Sequence, residues 1–137
     1  MRIYAAAVAA VDPRRVMSRV LSGDAGAAAN AAGVIGEPGT TASAEESRLN
    51  VSSMIERATA VRILAVGKAA IGMATEAEER LGDRMNEGLV IAPASIAAGA
   101  DATALRSRVM SGAHPLPDAS SVAAARAALE FVARARP

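Results

Sequence analysis

Lys68 is the only lysine in the chain; every other cation among the 15 Lys and Arg residues is an arginine. It stands at a chemically useful point. The aliphatic run Val61-Arg62-Ile63-Leu64-Ala65-Val66 ends in Gly67, Lys68 follows, and Ala69-Ala70-Ile71-Gly72-Met73-Ala74 are small or helix-favouring residues. The pattern predicts a buried strand, a tight turn and a helix N-terminus. Such a junction offers free backbone N–H groups and the positive end of the helix dipole, both of which attract anions. An ammonium is a compact point charge on a flexible stem, suited to a phosphate or a carboxylate. Two readings of Lys68 stand side by side: an anion-holding residue, and a strand-end lysine that reaches solvent.

A second group lies downstream, in Ser111-Gly112-Ala113-His114-Pro115-Leu116-Pro117-Asp118-Ala119-Ser120-Ser121. Gly112 is expected to supply an unusual backbone angle, and the two prolines an extended, stiff loop. Asp118, or a serine after it, is placed to cap the next helix. The apolar face of that helix is expected to be Val122, Ala125, Leu129 and Val132. His114 can donate to an anionic ligand, serve as a general acid or base, or hydrogen-bond the loop to itself.

Both groups need elements to hold them. Asp12-Pro13 starts a helix, with Val16, Val20 and Leu21 on one face and Ser22-Gly23 at its end. An Ala-rich helix is expected over 2–10. Leu49 to Met54 reads as a short strand, and Ile55 to Thr59 as a helical or turn segment. After the 61–66 strand, a helix runs to about Leu81, with Ala70, Met73, Ala77 and Leu81 inward. Thr75, Glu76, Glu79 and Arg80 are outward, with Glu76 four residues ahead of Arg80. Gly88–Ala92 and Arg108–Met110 read as further strands. This alternation argues for a three-layer, Rossmann-like α/β fold with a mostly parallel, incomplete sheet. Ligands of such sheets sit beyond the carboxyl ends of the strands, where Lys68 and His114 both fall.

Composition narrows the classes. The chain has 137 residues, one domain's worth. Hydrophobic residues make up 52% but aromatics only 1%, so the core must be built from small aliphatic side chains and carries little surplus stability. A net charge of +1, with arginines spread along the sequence, argues against a nucleic-acid surface. No cysteine and a single histidine exclude thiolate and His-cluster metal sites. No apolar run is long enough to span a bilayer, and a cytoplasmic location is expected. Residues 22–48 are rich in Ala, Gly, Thr and Ser and lose all periodicity, which predicts a flexible insertion. Two phosphate motifs are ruled out. A P-loop fails because Arg62 stands where its first glycine belongs and Ala69 where it needs Ser or Thr. The dinucleotide fingerprint fails at Ala69, where its second glycine belongs.

Val66-Gly67-Lys68-Ala69-Ala70 with Met73-Ala74, followed by Gly112-x-His114-Pro115-x-Pro117-Asp118-x-x-Ser121, resembles the N-terminal domain of the glycerate 2-kinases. Ala7-Val8-x-Ala10-Val11-Asp12-Pro13 and Gly88-Leu89-Val90-Ile91 are similar to the same pattern in order and approximate spacing. The resemblance covers most of the chain outside 22–48. It implies transfer of the ATP γ-phosphoryl to the 2-hydroxyl of D-glycerate, giving 2-phosphoglycerate, with Mg2+ as the metal. It implies that Lys68 is catalytic, holding either the glycerate carboxylate or the moving phosphoryl; Gly67, Ala69 and His114 are the accompanying candidates for binding substrate or phosphate. No residue here is implied as a metal ligand. Family members continue into a further strand, a Ser-Gly-Gly-rich loop and a C-terminal MOFRL domain. Residues 1–137 are therefore expected to be an N-terminal fragment, inactive alone and open to self-association through exposed edges. Two other functions stand as alternatives: a non-catalytic module that binds an anionic metabolite at Gly67-Lys68, and a hydroxypyruvate reductase. The reductase would need a nicotinamide site that the glycine pattern does not provide.

Overall fold

The computed structural model describes residue 9, residues 11–22 and residues 51–135. They fall into two compact units, Met1–Thr59 and Ala60–Pro137. In the first, helix α1 spans Pro13–Leu21, with Pro13 at its first turn and the Asp12 carboxylate accepting the Arg15 N–H at 3.0 Å. This is the expected start, and Ser22 closes the helix. Helix α2 spans Val51–Arg57 and lies against α1. A strand over Leu49–Met54 is therefore not what residues 51–54 form. Met54, Glu56 and Arg57 favour helix, and this unit offers no described strand to pair with. The 2–10 helix and the 22–48 insertion lie outside the described residues, apart from residue 9, which is helical, and Ser22.

The second unit is built on a three-stranded parallel sheet in the order β1 (Val61–Val66), β2 (Met85–Pro93), β3 (Arg108–Gly112). Parallel neighbours require crossovers. Helix α3 (Ala70–Leu81) links β1 to β2, and two short helical turns, α4 (Ala94–Ala97) and α5 (Ala100–Thr103), link β2 to β3. Helix α6 (Ala119–Ala133) follows β3.

Side chains alternate along a strand, which sorts the helices onto faces. Val90 and Ala92 pack with Ala70, Ile71, Ala74 and Ala102, so α3 and the β2–β3 crossover share one face. Glu87 and Leu89 point the other way. Glu87 accepts from Arg134 at 2.8 Å, and Arg134 caps the end of α6, so α6 covers the opposite face. The result is the expected three-layer α/β arrangement. Among the described residues, six of the thirteen buried apolar residues are alanines: Ala70, Ala74, Ala77, Ala92, Ala102 and Ala124. Small side chains let α3 approach the sheet closely, but each contributes less burial than a leucine would.

One helix face differs from expectation. In α6 the buried residues are Ala124 and Phe131, while Val122, Leu129 and Val132 are 52%, 72% and 54% exposed. Ala125 is exposed as well. Phe131 is the only phenylalanine, and burying its ring outweighs covering the smaller aliphatics, so it turns the helix. No helix among the described residues is long and apolar enough to cross a membrane.

Candidate functional site

The corner after β1 is built by backbone geometry. The Gly67 N–H donates to the Ile91 carbonyl at 2.9 Å, which carries the β1–β2 ladder one residue past the strand. Gly67 then takes φ +118, a conformation L side chains rarely adopt, and turns the chain off the sheet. Lys68 and Ala69 make the turn, the Ala70 N–H donates to the Gly67 carbonyl at 3.2 Å, and α3 begins. Ala69 at the N-cap has no side-chain oxygen to offer the first N–H groups. Helices α1 and α6 are both capped by an aspartate. The helix behind Lys68 thus keeps an uncapped, positive N-terminus. Lys68 itself is exposed and enters no ion pair or hydrogen bond among the described residues.

The loop after β3 is held at both ends. The Ala113 N–H donates to the Ser121 hydroxyl at 3.0 Å, and the Asp118 N–H reaches the same oxygen at 3.4 Å. Asp118 caps α6, as expected, accepting the Ser120 N–H at 2.8 Å and the Ser121 N–H at 3.3 Å. Hydrogen bonds from the Ser120 hydroxyl, then from the Ser121 and Ser120 N–H groups, hold the Asp118 carboxyl below its ordinary range. His114, Pro115, Leu116 and Pro117 are all exposed, and the His114–Pro115 peptide bond is cis. Gly112 departs from expectation: its φ is not positive, and an added Cβ would meet the Ser121 hydroxyl at an ordinary 3.6 Å. Strand pairing with Pro93, not an unusual angle, sets its conformation.

The parallel register brings the two groups to one edge. Val66 pairs with Ile91, Ala92 with Ser111 and Pro93 with Gly112, so Gly67 and Ala113 leave the carboxyl end of the sheet on either side of β2. Two strand spacings set those backbones roughly 10 Å apart. Gly67, Lys68 and Ala69 are contiguous at this edge, and His114 lies across β2 from them. No hydrogen bond joins Lys68 to His114 among the described residues. Asp118 serves its own helix and is not turned to the edge as a free base.

Sequence reasoning passed over Glu78. It is buried on α3 and accepts from the Arg106 N–H at 2.8 Å, the Ser107 N–H at 2.9 Å and the Ser107 hydroxyl at 2.6 Å. The available signal was a carboxylate inside the apolar stripe, one turn from both Ala74 and Leu81. This cluster sits at the amino-terminal end of β3, away from the Lys68 edge. No group of three His, Cys, Asp or Glu able to hold a metal ion occurs among the described residues.

Comparison with known proteins gives three findings. The family model described as "Domain of unknown function (DUF4147)" matches residues 1–137. No curated protein sequence matches. Among solved structures, the crystal structure of glycerate kinase (EC 2.7.1.31) from Thermotoga maritima is similar, at 29% identity and a TM-score of 0.49. The match covers 60% of this chain and 19% of that one.

Proposed function

The chain belongs to the DUF4147 family, the N-terminal domain of glycerate kinase family proteins, and from that premise we propose that it forms one wall of a glycerate 2-kinase site. The reaction is ATP-dependent phosphorylation of D-glycerate to 2-phosphoglycerate. The observation that carries the reading is the carboxyl edge of the sheet, where the Gly67-Lys68-Ala69 corner, with its uncapped helix, flanks β2 opposite the His114 loop.

Phosphoryl transfer depends on positioning and on neutralising charge on the moving group. The corner suits an anion in both respects. The N–H groups at the start of α3 can bind an oxyanion, and Lys68 adds a full positive charge on a stem long enough to follow it. The anion held is the glycerate carboxylate or the transferring phosphoryl. Gly67 and Ala69 contribute backbone and no bulk. His114 approaches from across β2 and can donate to the same ligand. ATP supplies the phosphoryl group, and a phosphate fits this corner. The described carboxylates form no cluster fit for Mg2+, so no step through the metal is assigned to these residues.

The test has two readouts. Titrating the chain with 2-phosphoglycerate should shift the Gly67–Ala70 amide signals saturably, and Lys68→Ala should abolish that response. In the intact protein, Lys68→Ala should lower kcat/KM about a hundred- to a thousandfold, from roughly 3–4 kcal/mol of charge stabilisation, and Lys68→Arg should restore little. Wild-type kinetics in Lys68→Ala would remove Lys68 from the reaction. Saturable binding without phosphoryl transfer by the intact protein would make the site a metabolite-binding module.

A further inference from the structure

We propose that Ser121 is a positioning residue for this site: its hydroxyl is the latch that sets the loop carrying His114. The role toward ligand rests on the anion-site reading above; the latch itself rests on geometry alone.

The loop leaves β3 at Gly112, whose place is set by pairing with Pro93. The next residue, Ala113, donates its N–H to the Ser121 hydroxyl at 3.0 Å. Five residues further, the loop lands on Asp118, whose N–H reaches the same oxygen at 3.4 Å. A hydroxyl oxygen has two lone pairs, so one side chain accepts at take-off and at landing. Between these points, residues 114–117 are exposed and make no hydrogen bond among the described residues. The tether therefore falls on Ser121. Ser121 is itself fixed, because its own N–H donates to the Asp118 carboxylate at 3.3 Å in the first turn of α6. Helix, cap and loop close a ring of hydrogen bonds, and His114 projects from it at the edge shared with Lys68. An imidazole on an untethered loop would have to be ordered each time a ligand bound, and that ordering would weaken binding.

The chain's single histidine makes the test clean, since one imidazole signal reports the loop. Ser121→Ala should raise the hydrogen-exchange rates of the Ala113 and Asp118 amides on the order of tenfold, the loss of about one hydrogen bond each. It should also move the His114 imidazole signal and weaken 2-phosphoglycerate binding several-fold. Ser121→Thr, which keeps the hydroxyl, should restore all three. Retained amide protection for the rest of α6 separates loop release from unfolding of the helix. Unchanged exchange at Ala113 and Asp118 would overturn the latch. Faster exchange with unaltered binding would overturn the positioning role. A wild-type chain that binds no anion would overturn the site reading and Ser121's role toward ligand, while the exchange rates would still decide the latch.

Discussion

Replacing Glu78 with alanine tests the buried carboxylate that holds the entry of β3. Glu78 is 8% exposed and satisfies two backbone N–H groups and one hydroxyl of the segment that enters β3. The Arg106 guanidinium lies 3.9 Å from the same carboxylate and donates to the Gly82 carbonyl at 2.6 Å, closing the end of α3. Removing the carboxylate leaves three donors without an acceptor, and two of them belong to Ser107, which is 5% exposed. Each unsatisfied buried donor costs about 1–3 kcal/mol. The guanidinium is half-exposed and can turn to water, so its share is discounted. The total comes to about 3–5 kcal/mol, a large part of the 5–15 kcal/mol by which domains are stable. Urea unfolding of the chain followed by far-UV circular dichroism measures it. The midpoint should fall with little change in slope. Glu78→Gln, which keeps one acceptor oxygen, should lose less, and Glu78→Ala should be strongly coupled to Ser107→Ala in a double-mutant cycle. A loss under about 1 kcal/mol for Glu78→Ala would refute the reasoning, because a buried clamp cannot be removed that cheaply.

Further outcomes follow from other positions. Phe131→Ala should cost about 3–5 kcal/mol and Leu129→Ala nearly nothing, since one is 4% and the other 72% exposed; the reverse order in denaturant melts would restore the helix face expected from sequence. Gly88→Ala should destabilise by about 1–3 kcal/mol, because its Cβ would collide with the Ser107 hydroxyl and approach Met85 Cε to 2.8 Å; a neutral result would show that Ser107 can move aside. Asp118 has a carboxyl pKa held below its ordinary 3.8, so its stabilising effect is complete above that value and is lost as pH falls through the lowered one. The stability gap between wild type and Asp118→Asn should therefore shrink as unfolding is followed from about pH 5 downward, and a gap independent of pH would contradict the cap.

The elements that position the site were largely legible, because local rules coincide there. An aliphatic run, a glycine and a string of small residues can hardly be anything but strand, turn and helix, and Asp-Pro or Pro-Asp next to a helical stretch announces a cap. The orientation of α6 was not legible. In an alanine-rich helix every face is apolar, so the stripe Val122, Ala125, Leu129 and Val132 reads as strongly as Ala124, Ala127, Ala128 and Phe131. One aromatic ring decides between them, and only packing shows which stripe it takes. Glu78 was passed over because a helical carboxylate is by default solvated, and its partners at 106 and 107 come nearly thirty residues later. Residues 51–54 read as strand because Val51 favours that state, but a strand needs a partner, which sequence does not reveal. The spacing of Lys68 and His114 across β2 was out of reach for the same reason: it follows from pairing register.

The sheet divides its two ends between different tasks. At the amino-terminal end, Glu78 fastens α3 to the entry of β3, and Gly88 leaves room for the Ser107 hydroxyl beside it. No buried side-chain nitrogen or oxygen among the described residues lacks a partner there. At the carboxyl end, α3 starts without a side-chain cap, Lys68 is unpaired among the described residues, and the loop from 114 to 117 is exposed. A helix start with no side-chain cap and, beside it, a lysine unpaired among the described residues are the features on which the proposed anion site rests. Stability and binding should therefore separate under mutation. Changes at Glu78 or Gly88 should lower the unfolding free energy while the surviving folded fraction binds anion as before. Changes at Lys68 should leave unfolding nearly untouched and remove the binding. That separation is what the proposed division between scaffold and anion site requires.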